Sequence, residues 1–214
     1  MKPFANKKLY KPLDEYLENL KKKIRTEFNH LLLAGFDGLN ILSVKRSTQD
    51  MFDRFERFNR DQYVLLVKAA WLWAFDCMGK EPPEMDYLDF VMEYLNGYDP
   101  ITQYVYQKEI DRKRMRLNEA ILTAREYKDQ AMFEKTIKRA ADLWYTQSNQ
   151  YGIDLVNATI VEAYDRAGID SVRWNTVIDG RECKTCRERN GFVYTIRNAP
   201  GRPHYGCRCY YTPA

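Results

Sequence analysis

Only two histidines occur in the chain, His30 and His204, and neither sits in an HExxH pattern. That excludes helix-borne zinc protease chemistry and leaves His204 as the sole local base for a cysteine nucleophile. Long apolar runs are also missing. The most apolar stretch, YVLLVKAAWLWAFDCM over residues 63–78, carries Lys68 and Asp76 and is shorter than the ~20 residues that span a bilayer. It predicts a buried core helix and no membrane partner, with Cys77 as a small buried hydrophobe. The opening MKPFANKKLYKPLDEYLENL lacks a continuous apolar segment of the secretory type, so the chain is expected to remain in the compartment where it is made. Nor is there an internal repeat or a low-complexity linker.

Charge of one sign is scarce as well: 34 Lys and Arg face 30 Asp and Glu, leaving +4 over 214 residues. With 45% hydrophobic residues the chain can build a core without needing a metal to fold as a whole. The basic excess is concentrated. Residues 181–214 hold Arg181, Lys184, Arg187, Arg189, Arg197, Arg202 and Arg208 against Glu182 and Glu188, which is +5. These seven are the candidate contacts to DNA or to an acidic protein surface.

Most of the chain has helical periodicity. Leu13, Tyr16, Leu17, Leu20, Ile24, Phe28 and Leu31 recur at spacings of three and four, with Pro12 suited to the first helical turn. Residues 34–46, with two glycines, read as a connection. Ser47 or Thr48 then caps a helix that continues into the core helix and ends at Pro82 and Pro83. A short helix over 85–95 closes at Asn96 and Gly97. Two helices are expected from Ile101 to about Gln147, with a break at Lys128 or Asp129, and the run Arg112, Lys113, Arg114, Arg116 reads as a solvated face. Another helix starts near Tyr151 and stops at Gly168. There the period changes to two. SVRWNTVID predicts a strand with Val172, Trp174, Thr176 and Ile178 on one face, closed by an Asp179-Gly180 turn, and GFVYTI predicts a second. The expected fold is therefore mainly α, with a helical body over 1–150 and a small C-terminal α+β module over 151–214.

Four of the five cysteines and His204 fall within residues 183–209. The CxxC spacing of Cys183 and Cys186 lets two thiolates approach one tetrahedral ion from a tight turn, and His204, Cys207 and Cys209 add three soft or borderline donors. A closed structural zinc site follows, with Cys183, Cys186, His204 and Cys207 as ligands and Cys209 in reserve. A disulfide pair would need an oxidising compartment. A thioredoxin-like redox pair would need a βαβ setting.

AYDRAG, then WNTVIDGREC, then CKTCRERNG with an aromatic strand, then PHYGCRC, resembles in order and spacing the phage Mu F-like minor head proteins, also called phage head morphogenesis proteins. The matching positions are Trp174, Asp179, Cys183, Cys186, Gly191, His204, Cys207, Arg208 and Cys209, over residues 148–214. Tyr205 stands where the family commonly has proline, which leaves His204 and Cys209 both open as the ligand completing the site. The resemblance implies a structural protein of a tailed-phage head rather than an enzyme. It implies assembly in the host cytoplasm beside the portal protein, residence inside the capsid of the virion near the portal vertex, and contact in some members with packaged double-stranded DNA. Major capsid or scaffolding protein is a further expected neighbour. Two other classes remain: a zinc-finger nucleic-acid-binding protein, which would want an extended helix beside the ligands, and an enzyme using Cys183 or Cys186 as nucleophile.

Overall fold

In a computed structural model of the chain, residues 5–33, 41–96, 100–178, 182–204 and 206–214 are described. Helix α1 spans Ala5–Leu33 and buries Leu9, Leu13, Leu17, Leu20, Ile24, Phe28 and Leu31 along one stripe. Pro12 lies inside it rather than at its first turn. Proline costs a helix interior one hydrogen bond, but Leu9, Tyr10 and Leu13 are all buried around it, so packing holds those turns.

Helix α2 runs unbroken over Ile41–Met78. Residues 41–46 are thus helical and not part of a connection; the rest of that expected connection, 34–40, lies outside the described residues. Thr48 is inside α2 and not its cap, with its hydroxyl 3.0 Å from the Val44 carbonyl oxygen. Gly79 and not the proline pair stops the helix: at φ +63° it takes the left-handed conformation, and Lys80 N–H returns to the Phe75 carbonyl at 3.1 Å. Cys77 is exposed rather than buried, at the last turn of α2 where its thiol meets the Tyr164 hydroxyl.

Helix α3 covers Tyr87–Asn96; the expected stop at Gly97 lies outside the described residues. Helices α4 (Pro100–Glu126) and α5 (Gln130–Arg166) are separated at the expected break, where Lys128 has φ 51° and the Asp129 carboxylate accepts from Met132 N–H at 2.8 Å. No helix starts near Tyr151. The polar tract Ser148-Asn149-Gln150 that suggests a boundary is inside α5, where Ser148 is buried against Asn59 and Gln150 donates to Asp154.

Strand β1 is Ser171–Asn175, with Val172 and Trp174 buried and Arg173 exposed. It ends earlier than its alternation suggests, leaving Ile178 79% exposed. A six-residue helix α6 (Lys184–Arg189) follows, then β2 (Val193–Thr195), a single 3-10 turn and β3 (Tyr210–Pro213). The sheet is antiparallel in the order β2-β1-β3, with Val172 opposite Tyr194 and Trp174 opposite Tyr211. A mainly helical chain with a small C-terminal sheet is the expected fold class. Among the described residues no helix is long and apolar enough to cross a membrane.

The chain divides into two compact units. One collects the start of α1 up to Glu15, Tyr63–Tyr87 and Asn149–Ala214; the other holds Tyr16–Gln62 and Leu88–Ser148. The first is wider in sequence than the 151–214 module, because Trp71 and Trp73 of α2 and Leu9 and Leu13 of α1 are part of its core. The second is cored by aromatic residues: Phe28 stacks on Phe55 at 5.8 Å, and Phe52 meets Trp144 edge-on at 5.1 Å. Its buried carboxylate, Glu27, is bonded by Arg54 and Lys23, each at 2.7 Å.

Candidate metal centre

Gly168, at φ +73°, ends α5 and turns the chain into β1, with Ile169 N–H returning to the Tyr164 carbonyl at 2.9 Å. From β1 the signature residues tie the module together. Trp174 donates its indole N–H to Thr176 Oγ1 at 3.1 Å, and the Thr176 hydroxyl donates in turn to the Cys186 carbonyl. Gly191, at φ +83°, makes the turn between α6 and β2 that a side chain would strain, and its N–H donates to the Trp174 carbonyl at 2.8 Å. Trp174 is thus the post against which the CxxC helix is braced.

Cys183 is the N-cap of α6, and its Sγ accepts from Cys186 N–H at 3.4 Å. That places Cys186 one turn in, fully buried. Around it stand the other donors, with His204 Nε2 at 3.3 Å and Cys207 Sγ at 3.6 Å from Cys186 Sγ. The five candidates form two triads, Cys183 with Cys186 and His204, and Cys186 with Cys207 and Cys209, the donor atoms of each lying within 4.8 Å of one another. Cys186 belongs to both.

The spacing suits an ion. Metal bonds of about 2.0–2.3 Å in a tetrahedron put neighbouring donors about 3.3–3.8 Å apart, the range of the two separations around Cys186. The thiol electrostatics point the same way. Burial pushes the Cys186 thiol up to about 12. Cys207 is held down to about 5, chiefly by a hydrogen bond from the Cys209 thiol, while Cys209 is raised by that same bond. The Cys186 N–H lowers Cys183. So many packed thiols cannot all ionise together unless a cation replaces their protons.

Sequence reasoning misplaced one residue here. Arg202 is buried, its side chain 4% exposed, and so cannot be an outward contact. Its guanidinium donates to the carbonyls of Cys207, Cys209 (3.0 Å) and Ile153 (3.2 Å), and Asp154 lies 3.9 Å from its Nε. It holds the Cys207–Cys209 segment onto α5. Gly206 N–H donates to the Gln150 side chain and Tyr10 O–H to the Cys209 carbonyl, fixing the same segment from both sides. None of the three had a local signal, because burial of a charge depends on packing from distant segments.

The other six basic residues also divide. Arg208 pairs with Asp14, and Arg189 lies over the Trp174 ring at 5.3 Å while donating to the Gly201 carbonyl. Lys184, Arg187 and Arg197 are exposed, the first two loosely paired with Glu188 and Glu182. Arg181, like Asp179, Gly180 and Tyr205, lies outside the described residues.

Fold and site together define a helical protein carrying a small antiparallel module whose Cys/His cluster can hold a metal ion. No protein-family profile matches the chain, and neither a curated protein nor a solved structure matches it.

Proposed function

We propose that this protein is a minor capsid, or head morphogenesis, protein of a tailed bacteriophage, and that Cys183, Cys186, His204 and Cys207 hold a structural zinc ion. The observation that carries the reading is the convergence of the signature. Trp174, Cys183, Cys186, Gly191, His204, Cys207, Arg208 and Cys209, scattered over 36 positions, all serve one small unit as brace, turn or donor. Zinc is the ion that such soft thiolate and imidazole donors suit. Its role is to cross-link a module whose three strands are only three to five residues long. A thiol-enzyme reading is disfavoured at Cys186, which is buried and whose raised thiol makes a poor nucleophile, while the Cys183 sulfur is engaged as the N-cap of α6. A DNA-reading finger is disfavoured by α6, only six residues long.

In the virion the protein docks on the portal or inner shell during assembly in the host cytoplasm. Among the described residues of the tail, Lys184, Arg187 and Arg197 are the exposed cations that meet packaged DNA, and that contact is sequence-independent and salt-sensitive. The test is co-purification with the portal protein encoded by the same genome, together with metal analysis of protein purified without chelators. A portal complex and one zinc per chain are expected. Failure of the two proteins to associate when co-expressed would overturn the capsid assignment, and absence of metal would overturn the zinc site independently.

A further inference from the structure

The run Arg112, Lys113, Arg114, Arg116 stands on α4, with Arg112 and Arg116 exposed. Three of these cations, with Arg139 from α5, line a groove of about 520 Å³ between α4 and α5. Its residues recur at 112, 113, 116, 117 and 120 on one helix and at 136, 139, 140, 143 and 144 on the other. Eight steps of 1.5 Å, from 112 to 120 and from 136 to 144, make it about 12 Å long, a little over two helical turns.

Three properties set its chemistry. None of the described lining residues is acidic, and the carboxylates of this part of α5, Glu134 and Asp142, line a different groove facing α1. The floor is apolar and firm: Leu117 is buried, and Trp144 is wedged against Phe52 and Phe55 at 5.1 and 5.4 Å. On the rim Leu143 is 49% exposed.

We infer that the α4–α5 groove docks an acidic amphipathic helix of a protein partner. Apolar side chains of the partner helix, spaced three and four apart, pack on Leu143 and the half-buried Ala120 and Ala140, and its flanking carboxylates meet Arg112, Lys113, Arg116 and Arg139. A nucleic-acid backbone would use the cations but leave the exposed Leu143 uncovered, which is why a helix is the better fit. The inference does not depend on the metal centre or on the capsid reading.

The experiment measures fluorescence anisotropy of a labelled peptide of roughly 15 residues, with Leu at helical spacing and Glu beside it, titrated with the full chain. A scrambled peptide of the same composition and a duplex DNA serve as competitors. The expected result is saturable binding of the patterned peptide. The double variant Arg116→Glu/Arg139→Glu weakens it at least tenfold and Leu143→Asp weakens it severalfold, with circular dichroism unchanged. Should the double variant not fold, the exposed single change Arg139→Gln is expected to weaken binding about threefold, as loss of one surface charge pair does. Equal binding of the scrambled peptide, capture of DNA but not of the patterned peptide, no binding of that peptide, or unchanged affinity in the folded variants would each overturn the inference.

Discussion

Replacing Arg202 with methionine tests how the ligand-bearing segment is held. Methionine matches much of the alkyl length but removes a guanidinium that serves three backbone carbonyls and faces Asp154. An unpaired buried acceptor costs about 1–3 kcal/mol, and loss of one partner from a buried charged cluster costs about 3–5 kcal/mol. Because the carbonyls of Cys207 and Cys209 lie next to ligand positions, some of that cost relaxes as movement of the segment, so about 4 kcal/mol is expected in the unit that contains it. At about 2–4 °C per kcal/mol for a chain of this length, its unfolding transition falls by about 8–16 °C. Metal affinity, read by competition with a chromophoric chelator, falls about 10- to 100-fold, as loss of an outer-shell partner does. Arg202→Lys keeps the charge without the fork and should fall between the two. A transition within about 2 °C of the parent, with unchanged metal affinity, would refute the idea that this buried arginine organises the site.

Cys186→Ser, which removes the donor common to both triads, should abolish retention of metal by gel-filtered protein. Cys209→Ser should retain it, and equal loss in the two variants would place Cys209 among the ligands. Burial raises the Glu27 carboxyl, but hydrogen bonds from Arg54 and Lys23 outweigh it and leave the pKa below the ordinary value. A lowered folded pKa stabilises above the unfolded value and is lost as pH falls through the folded one. Glu27→Gln should therefore cost about 1–3 kcal/mol near neutrality, and its difference from the parent in thermal melts should shrink below about pH 4.3. Gly168→Ala, at a left-handed φ of 73°, should cost about 1 kcal/mol in denaturant titration; no change would mean that the turn after α5 relaxes.

What the sequence made legible follows from where its signals are generated. The stripe from Leu13 to Leu31 and the break at Lys128 are local patterns, and the helices follow them. The join inside α5 was hidden because Ser148, Asn149 and Gln150 resemble a boundary by composition, while the side chains of Ser148 and Gln150 are bonded by Asn59, Asp154 and Gly206. Strand β3 offers only Tyr210–Pro213, too short to read until it pairs with β1. At the site, the CxxC pair together with HYGCRC singled out the five candidate donors that the fold gathers. Their division into two triads around Cys186 was not foreseeable, because it depends on how the loop after Arg202 returns. The reading of Arg202 as part of a basic surface failed for the same reason: charge adds along a sequence, but exposure is decided by the fold.

Tyr10 and Cys209, joined by a hydrogen bond, stand 199 positions apart, and this has a consequence for synthesis. One unit has all its residues once translation reaches Ser148, whereas the other waits for β3. At about 5–20 residues per second, the intervening stretch takes roughly 3–13 s to emerge. Through that interval Leu9, Leu13 and Trp73 are already made but lack the last part of their core, and the metal donors are incomplete until Cys207 has left the ribosome. The nascent chain therefore passes through an interval of exposed apolar surface that ends only when its last strand and its ion-binding cluster arrive together.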